Sequence, residues 1–450
     1  MDVLMTTSWT TDQVLALAPD ASSAKSGRDL SNKAKWVTLG QRETAIWGEC
    51  QGSGSKPYRT QVDLSEPAFR CSCPSRKFPC KHGLGLMLIL AADPGALPDA
   101  APPDWVAEWL ASRTERAEKK EKKAAEPEKP VDTAAQAKRA AQRDAKVAGG
   151  VQELDRWLRD LVRGGLAEIA SRPYSYWDTP AKRMVDAQAP GLARMVRDMA
   201  GVPATGAGWR ERLLERLGRL HLLLQGYGRL ESLPAETQAD IKAAMGFTVA
   251  QEQVLAETGV TDRWFVAAQR VEEEDTLRVQ RTWLWGSQSG ALALILNFAH
   301  ASQPLDVSLV SGSVLDADLV FFPGAVPLRA LVKTRRDAVP SLSDIPEHGH
   351  RTIHAATAAY AAALARSPWL DRYPFALREV CLSPGDERWE VQDAAGQALP
   401  IAAAFTQGWR LLGVTGGRPV TVWGEWNGLA FLPLSVWAEG HFYALSGAEK

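Results

Sequence analysis

The sequence predicts an α+β protein with more than one domain, and three observations lead to that prediction. Apolar residues recur at every second position in two separate regions, which is typical of antiparallel strands. Between these regions they recur at three- and four-residue spacing, which is typical of amphipathic helices. At roughly 150 residues per domain, the 450 residues correspond to about two to four units.

The composition is that of a globular protein with a sizeable core. Hydrophobic residues make up 45% of the chain and charged residues 23%, and 52 Lys and Arg against 53 Asp and Glu give a net charge of -1. This balance argues against a surface that coats nucleic acid or an acidic membrane as a whole, but it leaves room for a local basic patch. The N-terminal segment lacks the features of a signal peptide, and the longest apolar runs are about half the ~20 residues that span a bilayer.

The five cysteines are few, odd in number and bunched, with three of them between Cys71 and Cys80. A secreted disulfide framework would use an even and more dispersed set. The pattern therefore predicts a metal site in a cytoplasmic protein that is kept reduced. The 17 tryptophans are spread along the chain, which indicates core and sheet packing and not one site.

Residues 1–112 are predicted to form a small domain around an antiparallel meander. Short alternating runs separated by Gly, Ser and Pro predict its strands, and apolar periodicity predicts its helices. The predicted strands are 45–50, 58–64 and 68–73, and the predicted helices are 11–18, 81–92 and a short amphipathic piece at 105–110.

Residues 113–150 are predicted to form a charged linker. Their 11 Lys and Arg and 7 Asp and Glu leave four excess positive charges, and few of the residues could be buried. Pro127 and Pro130 exclude a single long helix, so we expect a partly helical or disordered connector that ends at Gly149 and Gly150. A tail that grips nucleic acid is the alternative, but runs of mixed charge are usually just solvated.

The remaining residues divide into a helical and a β-rich region. Residues 151–260 contain long runs of helical period and predict a helical bundle. Residues 261–450 are rich in Trp and predict a series of strands, among them 306–315 and 409–414, interrupted by one helix at 352–366. The acidic run Glu272–Asp275 is interpreted as a solvated hairpin turn.

One motif carries specific chemistry, namely the pattern C-x-C-x6-C-x-H formed by Cys71, Cys73, Cys80 and His82. Zinc prefers four thiolate or imidazole ligands at the corners of a tetrahedron. Two cysteines at every-second-residue spacing on a strand would share a face, while the second pair lies where the loop enters an apolar helix. Reduced cysteines in a small core or a redox-active pair are the alternatives. Because protein donors fill all four positions, we predict one structural Zn²⁺ and no catalytic metal.

At these residues the chain resembles the SWIM zinc-finger family, whose pattern is C-x-C, a variable spacer and C-x-H on a strand-strand-helix unit. Each of the four residues stands at a family ligand position. The resemblance covers roughly residues 30–95, and over the rest the length and layout are similar to those of bacterial SWIM-domain proteins. It implies zinc binding and a role in DNA or protein–protein interaction, and it implies no enzymatic activity.

The predicted partner contacts are Arg76, Lys77 and Lys81, on the loop and helix start beside the motif. Positive side chains at a helix N-terminus suit phosphate. The alternative is that these cations only favour the thiolates and keep the loop soluble. With so few cations, we predict an interaction protein that docks a protein partner, and a DNA- or RNA-associated factor is the second hypothesis. Phe78 is expected to plug the core of the finger.

An enzyme in the C-terminal region is the least favoured hypothesis, and no catalytic residue is predicted. Its one candidate is the cluster of His348, His350 and His354, because a helix that begins near Arg351 would place the last two histidines on one face. The simpler interpretation is a polar loop that leads into a helix capped at Arg351 or Thr352. No H-E-x-x-H, G-x-S-x-G or phosphate-loop motif appears in the sequence.

Overall fold

The computed structural model describes residues 9–52, 56–65, 67–75, 77–125, 133–166, 168–274, 277–300, 303, 305–339, 349–385 and 388–445. The helices are α1 (Thr11–Ala16), α2 (Ala21–Leu30), α3 (Lys81–Ala92), α4 (Asp104–Ala125), α5 (Thr133–Arg163), α6 (Ser175–Asp186), α7 (Pro190–Met199), α8 (Trp209–Gly228), α9 (Ala235–Met245), α10 (Gln251–Ala256), α11 (Ile353–Arg366) and α12 (Gly408–Thr415). The strands are β1 (Trp36–Arg42), β2 (Ala45–Cys50), β3 (Tyr58–Asp63), β4 (Ala68–Cys71), β5 (Val260–Glu274), β6 (Leu277–Gly286), β7 (Leu292–His300), β8 (Val314–Phe321), β9 (Ala330–Val339), β10 (Tyr373–Pro384), β11 (Trp389–Gln392), β12 (Ala398–Pro400), β13 (Val420–Trp426), β14 (Phe431–Ala438) and β15 (His441–Ala444). The chain is therefore α+β, as the sequence predicts.

The N-terminal region is an antiparallel sheet in the order β1-β2-β3-β4, covered by helices. Strand β2 and helix α3 have the predicted bounds, whereas β4 ends at Cys71 and leaves Cys73 outside the strand. Helix α2 and strand β1 were not predicted. The sequence of α2 is mostly polar, and its start is fixed by Asp20, whose side chain accepts a hydrogen bond from the backbone N–H of Ser23.

Helix α3 is the central element of this region. Its residues His82 to Leu90 are all buried, which explains why the segment has no polar face. Glycines allow the close packing: a Cβ on Gly85 would lie 2.7 Å from the Cβ of Leu30, and one on Gly83 would lie 2.7 Å from the ring of Phe69. The core of the first 112 residues thus forms between α2, the sheet and α3.

The described part of the predicted linker is helical. Helix α4 extends the predicted piece at 105–110 to Ala125, and α5 begins at Thr133, while Pro127 and Pro130 lie outside the described residues. The prediction that the linker ends at Gly149 and Gly150 is wrong, because α5 continues through both glycines to Arg163. A Cβ on Gly150 would lie 2.5 Å from the Cβ of Ala187, so the glycine allows the chain that follows α6 to approach α5 closely.

Helices α5 to α9 form the helical region around one apolar core. Leu154, Trp177, Met184, Leu192 and Leu217 are among its buried side chains. This region also contacts the C-terminal part of the chain: Trp369 packs against the helical core, and its indole N–H donates to the carbonyl of Arg219 at 3.2 Å.

The C-terminal region consists of two antiparallel sheets that pack face to face. Their strand orders are β7-β6-β5-β8-β9 and β12-β11-β10-β13-β14-β15. Aromatic side chains fill the space between them, and the members of this shared core include Phe265 and Trp283 of the first sheet and Trp423 and Phe442 of the second. The tryptophans therefore serve core packing here, as expected.

Two strand predictions in this region need correction, and one strand was missed. Residues 409–414 lie in helix α12, because Gly408, Leu411 and Thr415 are buried at helical spacing while Trp409 is 70% exposed. The run 306–315 is a strand only from Val314 onward. Strand β10 was not predicted at all, although it lies at the centre of its sheet.

The acidic run was also misinterpreted, because Glu272 belongs to β5 and is not a solvated turn residue. Its carboxylate lies 2.6 Å from the guanidinium of Arg372 and 3.1 Å from those of Arg270 and Arg281. The guanidinium of Arg372 also lies 3.2 Å from the carboxylate of Glu425, which belongs to β13 of the other sheet. We call these five residues the charge network; it joins the two C-terminal sheets. Asp275 lies outside the described residues.

The N-terminal and C-terminal regions touch. Val310, from the loop before β8, is 3% exposed and belongs to the apolar core that contains α3. The side-chain amide of Gln13 in α1 lies 3.5 Å from the carbonyl oxygen of Gly312 in the same loop. The small N-terminal core is therefore completed by Val310, a residue of the C-terminal region.

Candidate metal centre

The predicted metal ligands come together where the N-terminal sheet meets α3. Cys71 is the last residue of β4, Cys73 follows in the loop, Cys80 is the N-cap of α3 and His82 lies in its first turn. Cys80 and His82 are 6% and 4% exposed, whereas the first two cysteines are half-buried. The local fold explains the spacing, because the end of β4 and the loop after it supply one pair of donors and the start of α3 supplies the other.

The geometry of these donors fits a single zinc ion. The four ligand atoms all lie within 4.8 Å of one another. The Nδ1 atom of His82 is 3.7 Å from the Sγ of Cys71 and 4.0 Å from the Sγ of Cys80. Ligands on a zinc tetrahedron with bonds of ~2.3 Å to sulfur are about 3.8 Å apart, so the set needs little rearrangement. Cys71, Cys73, Cys80 and His82 are positioned to bind one zinc ion.

The protonation of the cluster points to the same chemistry. Hydrogen bonds from Cys71 and Cys80 hold the pKa of Cys73 well below its usual range. Hydrogen bonds with Cys71 and Cys73, together with burial, raise the pKa of Cys80. Burial lowers the pKa of His82, but its hydrogen bonds with Cys71 and Cys73 raise it to about 9. Thiolates and a neutral imidazole are the forms that bind zinc, so metal binding by these residues would release protons.

Two side chains of β3 support the ligands, and the sequence analysis missed both. The hydroxyl Oγ1 of Thr60 lies 3.2 Å from the Sγ of Cys71, and Thr60 is fully buried. The ring of Tyr58 packs on His82 with 5.0 Å between centroids. The signal was available only in part, because the alternation of β3 predicts which residues share a face but not the register that pairs Thr60 with Cys71.

The loop beside the ligands carries the predicted partner contacts. Lys77 forms an ion pair of 2.7 Å with Asp20, the N-cap of α2. Lys81 is exposed on the first turn of α3, and Arg76 lies outside the described residues. Phe78 is half-buried and meets the ring of Phe69 edge to face at 5.9 Å, so it helps to fill the core as expected.

The histidine cluster does not form the expected helical pair. Helix α11 begins at Ile353 with Thr352 as N-cap, and its start is fixed by Asp393, which accepts from the backbone N–H of Ile353 at 2.8 Å. His350 therefore lies before the helix in an extended segment that bridges to Leu377, so it does not share a helix face with His354. His348 lies outside the described residues. Within the described ranges, the only group of three or more Cys, His, Asp or Glu positioned for a metal is the one at Cys71 to His82.

The other cysteines take no part in the centre. Cys50 is fully buried at the end of β2, where burial raises the pKa of its thiol, and it stays outside the ligand group. Cys381 is half-buried in β10. All five cysteines lie in the described part of the chain, and none forms a disulfide. No helix among the described residues has both the length and the apolar character to cross a membrane.

Comparison with known families agrees with this description in two places. Residues 58–91 match the model of the SWIM zinc finger, and residues 142–245 match that of the SWIM-associated four-helix bundle domain. The chain therefore contains a SWIM zinc finger and the helical domain associated with it, which confirms the resemblance seen in the sequence. The second match begins inside α5, before the predicted boundary at residue 150. No curated protein and no solved structure matches the chain significantly.

Proposed function

We propose that this chain is a cytoplasmic, non-enzymatic docking protein whose zinc-loaded SWIM finger binds a protein partner. The observation that carries the proposal is the closed donor set: three sulfurs and one nitrogen lie within 4.8 Å of one another. Because four protein donors complete a zinc tetrahedron, no position is left for a water or a substrate. The ion then acts as a structural support for the surface around it.

The charge distribution favours a protein over a nucleic acid as the partner. A phosphate-binding surface needs cations that are free to meet the backbone. Of the three predicted contacts, Lys77 forms a half-exposed ion pair with Asp20, which balances part of its charge. Neighbouring Arg59 is likewise paired, with its guanidinium 3.3 Å from Glu49. Paired charges of this kind suit the polar rim of a protein interface.

The proposal is tested with a photo-crosslinking residue placed at Lys81 in the full chain. We expect zinc-dependent cross-links to one protein in the cells that produce the chain, lost after chelation. The same cross-linker at Arg388, which is exposed on the C-terminal region, is the matched control. Equal labelling from both positions, or labelling that survives chelation, would argue against docking through the finger.

The second candidate is a DNA- or RNA-associated factor, and the exposed position of Lys81 favours it. This side chain stands in the first turn of a 12-residue helix, where the helix dipole attracts anions. Binding to single- and double-stranded DNA and to RNA is measured across a salt titration. We expect the logarithm of the affinity to fall linearly with the logarithm of the salt concentration if this candidate is right. Loss of that binding when Arg76, Lys77 and Lys81 are changed to Ala would favour a nucleic-acid partner over a protein partner.

A further inference from the structure

We propose that Thr60 is a positioning residue of the zinc centre, whose hydroxyl donates a hydrogen bond to the Cys71 thiolate. Thr60 lies outside the C-x-C-x6-C-x-H pattern and binds no metal itself. Its Oγ1 atom is 3.2 Å from the Sγ of Cys71, within reach of an O–H···S hydrogen bond. The inference depends on zinc binding and not on the identity of the partner.

The sheet register brings these two side chains together. Thr60 of β3 is directly opposite Cys71 of β4. The backbone N–H of Ser72 donates to the carbonyl of Arg59, so the next pair along, Thr60 and Cys71, belongs to the class in which facing side chains are closest.

The chemistry of the ligand fixes the direction of the hydrogen bond. A thiolate bound to zinc carries no proton, so it can only accept, and the Thr60 hydroxyl must donate. Thr60 is fully buried, and a buried hydroxyl without a partner would be costly. The donated hydrogen bond withdraws negative charge from the sulfur and holds Cys71 in the orientation that the tetrahedron needs.

The test compares Thr60→Val with Thr60→Ser in the full chain. Valine keeps the shape of threonine and removes the hydroxyl, whereas serine keeps the hydroxyl. Zinc affinity is measured by competition with a chromophoric chelator, and the thiolate-to-cobalt charge-transfer band is recorded after loading with Co²⁺. We expect Thr60→Val to weaken zinc binding by about 10-fold or more and to move the band to lower energy. Thr60→Ser should match the parent chain in both measurements.

A control variant separates the hydrogen bond from the general cost of losing a buried hydroxyl. Thr282 of β6 is also fully buried but lies in the C-terminal region, so Thr282→Val should leave zinc affinity and the cobalt band unchanged. The cobalt band reports on the metal-bound form, so it remains readable if Thr60→Val lowers stability. An unchanged band and affinity in Thr60→Val would overturn the proposal. So would a Thr60→Ser variant as weak as Thr60→Val, because packing and not the hydroxyl would then be responsible.

Discussion

The N-terminal sheet β1–β4 and the paired C-terminal sheets β5–β15 are built from the same antiparallel strands, but different groups stabilise the space beside them. Next to β4 stand three cysteines and a histidine within 4.8 Å of one another. Between the C-terminal sheets stand large aromatic side chains, with Trp423 only 5.3 Å from Phe265 in ring centroids. The strands alone therefore say little about what holds a sheet in place.

The difference follows from where each group stands. The four donors stand where β4 ends and α3 begins, beside an apolar core that includes Val62 and Leu84, so a bound ion would join a strand end to a helix start. Two larger sheets can bury tryptophans between them and use ionic contacts at the edge of the core. A substitution in one of these regions can therefore be judged against the other region as its reference.

The largest effect is expected from Cys80→Ser, which removes a buried zinc ligand. Zinc content should fall from one ion per chain to near zero, because the binding free energy of structural zinc, on the order of 10 kcal/mol, is coupled to folding. Hydrogen exchange should speed up in β3, β4 and the start of α3, while β5 to β9 stay protected. Cys381→Ser, which changes a half-buried cysteine of β10, should keep its zinc. A Cys80→Ser chain that still holds one zinc would disprove the ligand assignment.

The next largest effect, a loss of stability, is expected from Trp423→Ala in the core between the two C-terminal sheets. This side chain is 2% exposed and touches the aromatic rings of both C-terminal sheets. Its truncation should cost about 3–5 kcal/mol in the free energy of unfolding, measured by denaturant titration, without loss of zinc. Trp409→Ala is the control, because Trp409 is 70% exposed and its removal should change stability little. Loss of zinc in the Trp423 variant would show that the two regions fold as one unit.

A smaller and pH-dependent effect is expected from Glu272→Gln in the charge network. Burial alone would raise the pKa of Glu272, but its hydrogen bonds with Arg372 and the charges of Arg270 and Arg281 hold the pKa below its usual value of 4.5. The Glu272 carboxylate therefore stabilises the fold at pH values above 4.5, the pKa in the unfolded chain. This contribution is lost as the pH falls below 4.5 and through the lower pKa of the folded protein. At pH 7 the variant should lose about 2–3 kcal/mol.

The measurement for this variant is the free energy of unfolding between pH 3 and pH 7. The difference from the parent chain should shrink as the pH falls, because protonation removes the same charge that the substitution removes. Glu379→Gln is the matched control, since Glu379 is 54% exposed in its ion pair with Arg351 and should matter little at any pH. A difference that is constant over the whole pH range would show that the Glu272 carboxylate acts by packing alone.

The smallest effect is expected from Lys77→Ala at the finger. Its ion pair with Asp20 is short but half-exposed, with 54% of the Lys77 side chain accessible. Stability should change by less than about 1 kcal/mol, and zinc content should not change. Lys33→Ala, which breaks a longer pair of 3.6 Å with Asp93, gives the surface reference for the same region. A loss of zinc in Lys77→Ala would mean that this ion pair orders the ligand loop.

Local hydrophobic patterns predicted most of the helices and strands. They failed where tertiary packing buries residues that the pattern does not mark as buried. Helix α3 was predicted correctly because its long apolar run follows directly on the ligand motif. Helix α12 was mistaken for a strand because the sequence does not show which of its residues are buried. The packing buries Leu411 and Thr415, which are four residues apart, as on one face of a helix. Glu272 was mistaken for a turn residue because its partner Arg372, which also binds Glu425, lies 100 residues away in the chain.

The sequence by itself determined the α+β class and the four zinc donors, because these depend on chain periodicity and on the spacing of residues within one short segment. Only the tertiary structure decided which side chains surround those donors. Thr60 reaches Cys71 through the register of β3 and β4, and Val310 completes the finger core from a loop over 200 residues away. Such contacts join distant parts of the chain, and their free energy depends on shape and burial that no local pattern records.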